Sequence, residues 1–231
     1  MVVLATKLYV DGDARQRATD SLRSLIGNEI GELEVSFDLQ IREDDFPDVD
    51  LEGADATVAH NVLREEFGEI PDELEAGETY VGTLDSWDEE GFVLDAGQPV
   101  RIPTDELGLG PGSPEQIRER YGLVQHLPLR FVYADGSDAN GEGDAPSRLA
   151  DEERDRLYDW TRGDGRLNVN SATRAEVRAT LNRAGHAQDY VTVERLGLLE
   201  QSVVCRDDTD PPGLLADIGP YLPSELLAVV P

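Results

Sequence analysis

Gly77-Glu-Thr-Tyr80-Val-Gly82-Thr-Leu84-Asp-Ser-Trp87-Asp-Glu-Glu-Gly91-Phe92-Val-Leu94-Asp95-Ala-Gly97 is the passage from which the fold can be read. Short β-branched and aromatic runs with glycine-bearing turns between them predict the strands of a small curled sheet. In the first strand Thr79, Val81 and Thr83 face one way, Tyr80 and Leu84 the other. Residues 85–91 predict a turn and 92–95 a second strand. Val100-Arg101-Ile102 predicts a third strand, which Pro103 ends because it has no N–H for the ladder. A turn of helix over 104–107 follows. A second helix starts at Ser113-Pro114-Glu115, where Ser can cap, Pro is preset for the first turn and Glu suits the positive end. Gly122 stops it, and 129–133 returns as a strand.

The pattern Gly77-x-x-Tyr80-Val81-Gly82-x-Leu84, then Gly91-Phe92-Val93-Leu94-Asp95-x-Gly97, then Ile102-Pro103-x-x-Glu106-Leu107 resembles the RNA-binding OB-fold repeat named after the largest small-subunit ribosomal protein. The resemblance implies a five-stranded barrel whose exposed face stacks single-stranded RNA. Tyr80, Trp87 and Phe92 would then be the stacking residues, with Arg101 and Arg130 as phosphate or base-edge donors. Stacking is worth ~1–3 kcal/mol per base and needs no net positive charge. The chain departs from the repeat in the helical insert at 104–122 and in having few basic residues on its strands. A barrel used only for packing or protein contact, with Tyr80 and Phe92 inside it, fits the same letters.

Outward from this passage, residues 1–74 predict β-α-β-β-α. A strand lies within 2–10, and Asp13 can cap a helix carrying Ala14, Ala18, Leu22, Leu25 and Ile26. Leu33, Val35, Phe37, Leu39 and Ile41 alternate as a half-buried strand, and a short strand surrounds Val49 and Leu51. A second helix opens at Gly53-Ala54-Asp55 and carries Val58, Val62, Leu63 and Phe67. Residues 136–147, with no apolar anchor larger than Ala, predict a linker. The last third, 148–231, is α/β again. It has a helix from Leu149 to Trp160, a strand at 167–170, a helix to Gly185, strands at 190–193 and 199–205, and a helix from Pro211. No internal repeat is evident. The expected class is α+β, a central OB-like small β-barrel over 75–135 flanked by two small α/β units of ferredoxin-like type.

Forty-nine acidic residues face 20 basic ones, a net charge of −29, and Lys7 is the only lysine. The regular apolar alternation argues against disorder. An extreme halophile accounts for the acidity. In molar salt the Debye length falls to ~3 Å, carboxylate repulsion is screened, and an acidic surface stays soluble. A nucleic-acid ligand would have to be met by a local arginine cluster, because no broad basic face is available. No apolar run approaches the ~20 residues of a membrane span, and Met1 to Ala5 lacks the basic flank of a signal peptide. A cytoplasmic location is expected. Cys205 stands alone, so neither a disulfide nor a cysteine zinc site is available.

Three further stretches carry possible chemistry. Leu167-Asn168-Val169-Asn170-Ser171-Ala172-Thr173 looks like the opening of a DNA-binding helix-hairpin-helix, but the second helix is missing, and Ser171 or Thr173 with Glu176 reads as ordinary capping. Arg206, Thr209 and Gly213 stand at the start of the last predicted helix, where free amides can hold an anion; Asp210 acting as a cap explains the same residues. His60, His126 and His186 lie in different thirds and lack metal-ligand spacing, so neither a metal nor a cofactor is expected. No catalytic motif stands out among the carboxylate pairs.

Over nearly its whole length the chain resembles an archaeal family known only as a domain of unknown function. The letters are Asn61-Val62-Leu63-Arg64-Glu65-Glu66-Phe67-Gly68, Tyr121-Gly122-Leu123-Val124-Gln125-His126-Leu127-Pro128, Val193-Glu194-Arg195-Leu196-Gly197-Leu198-Leu199-Glu200 and the segment 209–219. The resemblance implies a three-part layout and supplies no activity. The expected function is non-catalytic binding of single-stranded RNA or a ribonucleoprotein through the barrel. A protein-interaction adaptor and an enzyme with its site at the junction of the three units are the alternatives.

Overall fold

A computed structural model describes residues 1–135 and 146–231, so most of the expected linker lies outside the described residues. The N-terminal unit comprises β1 (Val2–Val3), α1 (Gly12–Glu29), β2 (Val35–Ile41), β3 (Pro47–Gly53) and α2 (Ala56–Phe67). Its sheet runs β1-β3-β2, all antiparallel, with Leu39 opposite Val49. A lone antiparallel bridge joins Leu4 to Glu69. It is the stub of a fourth strand, and it completes the ferredoxin-like order. The cap expected at Asp13 does not form: α1 begins at Gly12, two residues earlier than that cap implies, and no side chain caps it.

The central unit comprises β4 (Thr79–Asp88), β5 (Gly91–Asp95), β6 (Pro99–Pro103), α3 (Thr104–Leu107), α4 (Pro114–Tyr121), β7 (Pro128–Val132), β8 (Arg148–Leu149) and α5 (Asp151–Trp160). The sheet order is β6-β5-β4-β7-β8. That is an OB-type barrel opened between its third and fifth strands, and α3 contacts both edge strands across the gap. β4 passes through the expected turn and ends only at Asp88. An irregularity between Leu84 and Ser86 lets it curl enough to pair with β5 at one end and β7 at the other. Gly91, at φ +152°, brings β5 close against β6, where a Cβ would run into the Ile102 carbonyl. The unit reaches further along the chain than its sequence pattern shows. Leu149 of β8 and Leu157 and Trp160 of α5 pack in the barrel core with Phe92, Ile102 and Phe131.

The C-terminal unit comprises β9 (Arg166–Val169), α6 (Arg174–Ala184), β10 (Tyr190–Arg195), β11 (Gln201–Cys205), α7 (Pro211–Ile218) and β12 (Leu226–Val229). Its antiparallel sheet runs β10-β11-β9-β12, a complete ferredoxin-like unit. The two outer units therefore repeat one topology without repeating a sequence. The turn between β10 and β11 carries Leu198 and Leu199 out of their own unit and into the core of the N-terminal one, beside Leu4, Leu8 and Leu63.

Candidate functional site

The structure disperses the five residues expected to bind RNA. Phe92 is completely buried in the barrel core, so it offers no face for stacking and leaves the set. Its strand neighbours Val93 and Gly91 pair with β6, and the curl of the sheet turns the ring inward. Trp87 lies at the far end of β4, its ring covered by the Arg118 guanidinium at 4.1 Å and its indole N–H donated to Glu115. Arg101 is locked bidentately on Asp88 at 2.7 and 2.8 Å. That hydrogen bonding, helped by the Glu90 amide, lowers the Asp88 carboxyl to about 2. Tyr80 packs on Phe131 at 6.2 Å between ring centroids, and its hydroxyl accepts from the Glu75 amide. Tyr80 and Arg130 remain together, on the edge of a cleft that sequence reasoning did not locate.

The expected anion seat is filled by the protein itself. The Gly213 amide donates to the Asp210 carboxylate at 2.9 Å, and the Thr209 hydroxyl donates to the Asp189 carbonyl at 2.7 Å. The helix-hairpin-helix letters likewise serve internal contacts. Thr173 and Glu176 form a capping box on α6, while Asn168 and Asn170 donate to the carbonyls of Gly122 and Gln125 and fasten the C-terminal unit to the barrel. His60 and His186 pair with nearby carboxylates, and no group of metal-ligating side chains is found among the described residues. Burial pushes the Cys205 thiol up to about 11, and it stays an inert core residue.

The cleft opens where the three units meet and has a volume of about 540 Å³. Five arginines line it: Arg64 from α2, Arg130 from β7, Arg156 from α5, Arg174 from α6 and Arg195 from β10. The chain has nineteen arginines in all. Glu29, Glu65 and Glu66 also face the cleft, so cations outnumber anions in its lining although the chain as a whole is strongly acidic. The aromatic ring of Phe67 lies in the wall, with the Arg195 guanidinium 5.4 Å from its centroid. The cleft continues past Arg64, Gly68, Val81 and Arg130 into a second depression that holds Tyr80, and past Arg156, Arg174 and Arg195 along β10. Beneath it Glu153 is fully buried, held by Arg156 and lying 3.6 Å from Arg130. An unpaired buried carboxylate would be costly, so these two arginines are struts as well as lining. Among the lining arginines only Arg130 was singled out from sequence. The others come from four separate elements, and only the docking of the units collects them.

A second polar cluster joins the same units. The Tyr9 hydroxyl donates to Glu200 at 2.6 Å and accepts from the Ser171 amide at 2.9 Å, and its ring lies 3.9 Å from that of His126. His126 and Ser171 both hold positive φ, +66° and +56°, an uncommon conformation for residues with side chains. Burial pushes the Glu200 carboxyl up to about 8, against the partial relief of the Tyr9 hydrogen bond. Burial also raises the Tyr9 phenol, and the Glu200 charge adds to it. Burial lowers His126, with Lys7 acting in the same direction. This cluster fastens the three units to one another.

Compared with known families, the chain matches the DUF2110 N-terminal domain over residues 1–73, the DUF2110 central domain over 74–161 and the DUF2110 C-terminal domain over 164–230. The central match ends just after α5, in agreement with the packing of that helix on the barrel. No curated protein is similar to the chain.

Proposed function

Because this chain belongs to the DUF2110 family, a domain of unknown function in three parts, we propose its role from the site alone: non-catalytic binding of single-stranded RNA, free or in a ribonucleoprotein. The observation that carries the reading is the convergence of five arginines on one cleft in a chain of net charge −29. Arginine presents a planar fork that matches phosphate oxygens, and such a cluster is the local basic footprint that nucleic-acid binding requires. The cleft borders the OB-like half-barrel, and Tyr80 supplies a ring at its edge. The net charge of −29 supports a cytoplasmic, salt-loving setting. No helix among the described residues is long and apolar enough to cross a membrane.

The test is fluorescence anisotropy with a labelled mixed-sequence 12-nucleotide RNA in 0.2 to 2 M KCl. Binding is expected at the low end and weakens with salt. Tyr80→Ala should weaken it by roughly 5-fold to 100-fold, the worth of one stacked base, while Trp87→Ala leaves it unchanged. No binding at any salt concentration overturns the reading.

A further inference from the structure

Resting on that reading, we infer that Arg64 and Arg174 are the phosphate contacts, and that one RNA strand lies across the junction and bridges the two outer units. The five lining arginines divide by what already holds them. Arg195 is paired with Glu66. Arg156 is bound to buried Glu153 and donates to the Pro128 carbonyl, and Arg130 sits against the same carboxylate. Arg64 and Arg174 are exposed, and neither has a carboxylate within 4 Å among the described residues. Other arginines without an acid partner among the described residues, such as Arg178, Arg183 and Arg206, do not line the cleft; Arg64 and Arg174 face it together from different units, one at the end of α2 and one at the start of α6. They are the groups free to exchange water for phosphate without first breaking an ion pair, which is the cheapest way to gain a charge-assisted bond.

The shape limits the partner to a single strand. A cleft of about 540 Å³, walled on three sides by separate units, has the size of a small-ligand site and holds a few nucleotides rather than a duplex. The remaining acids set the strength. Glu65 follows Arg64 on the same helix and faces the cleft, so it repels the strand that Arg64 attracts.

Salt titration of RNA binding reads these roles directly, because each phosphate contact to a single strand contributes ~0.7 to the slope of log K against log salt. Arg64→Ala and Arg174→Ala should each lower the slope by about 0.7 and weaken binding roughly tenfold at 0.2 M KCl. Arg64→Lys and Arg174→Lys should keep the slope, which guards against a loss caused by misfolding. Glu65→Gln should tighten binding, whereas Arg101→Ala, already neutralised by Asp88, changes nothing. A hairpin duplex should bind more weakly than the open strand. A wild-type protein that binds no RNA defeats the functional reading itself. A wild type that binds, with slopes unmoved by Arg64→Ala and Arg174→Ala or with equal affinity for the duplex, defeats this assignment and leaves that reading standing.

Discussion

The two outer units share a strand order, with the first strand beside the third and the fourth, but they differ in where their stability comes from. The C-terminal unit has four full strands and a core drawn entirely from its own residues, from Leu167 to Leu226. Its two helices are both capped by side chains, Thr173 on α6 and Asp210 on α7. The N-terminal unit reduces its fourth strand to one bridge, has no side-chain cap on α1 or α2, and takes Leu198 and Leu199 from the other unit into its core. One topology can therefore be self-sufficient or dependent, and the dependence has a use. The turn that delivers Leu198 and Leu199 also delivers Arg195, Leu196 and Gly197 to the wall of the arginine cleft. Docking and site are made by the same segment.

The strongest way to break this comparison is Leu198→Ala. Truncating a buried leucine costs about 2–5 kcal/mol, and here the expected loss falls on the unit that borrows the residue. Hydrogen exchange should quicken across α1, α2 and β3 while β9 and β11 stay protected. Leu181→Ala, in the core of the C-terminal unit, should cost a similar amount and quicken exchange in that unit instead. If Leu198→Ala loosens only the turn that carries it, the N-terminal unit stands by itself and the contrast is wrong.

The next effect is a pH dependence confined to the junction. Folded Glu200 keeps its proton up to about 8, whereas in the unfolded chain a glutamate gives it up near its ordinary value of 4.5. Between those values the folded state binds more protons than the unfolded one, so this group's contribution to stability falls as pH rises through the window. Glu200→Gln removes the dependence and can still accept from Tyr9. Denaturation by urea should give similar stabilities for the two proteins near pH 5. Near pH 8.5 the variant should be the more stable, by an amount on the order of a few kcal/mol. Comparing variant with wild type cancels the repulsion among the other carboxylates. A constant difference across pH 5 to 8.5 would mean that Glu200 is ionised when folded, and the two-unit fastening would need another explanation.

What the sequence disclosed follows from range. The strands of the barrel, the β-α-β-β-α start, the helical insert and the cap at Asp210 are local patterns, set by alternation, glycine and capping letters within a few residues. β8 was hidden because two residues, Arg148 and Leu149, cannot show a period. α5 was seen but assigned to the wrong neighbour, since an amphipathic stripe does not say which core it meets. Phe92 misled for the same reason: alternation separates two faces of a strand, and the closure of the sheet decides which one is inside. The cleft was out of reach altogether, because Arg64, Arg130, Arg156, Arg174 and Arg195 become neighbours only through tertiary docking. Charge alone gave no signal either, because arginines without an acid partner among the described residues, such as Arg178, Arg183 and Arg206, also lie away from the cleft.

The smallest effect tests the difference in capping. Thr173 accepts from the Glu176 amide while Glu176 reaches back to the Thr173 amide, and Asp210 accepts from Gly213. Replacing such a cap by alanine costs about 1 kcal/mol, because an orphan amide at the helix start loses its acceptor. Thr173→Ala and Asp210→Ala should each lower the urea midpoint by a corresponding amount. Asp11 occupies the same position on α1 but makes no side-chain bond there, and only its carbonyl is used, by Arg15. Asp11→Ala should therefore leave the midpoint within ~0.3 kcal/mol of wild type, or raise it slightly by removing one negative charge from a crowded surface. A loss at Asp11 as large as that at Thr173 would show that α1 is capped in solution. The N-terminal unit would then be locally as well specified as its counterpart, and only the two borrowed leucines would still separate them.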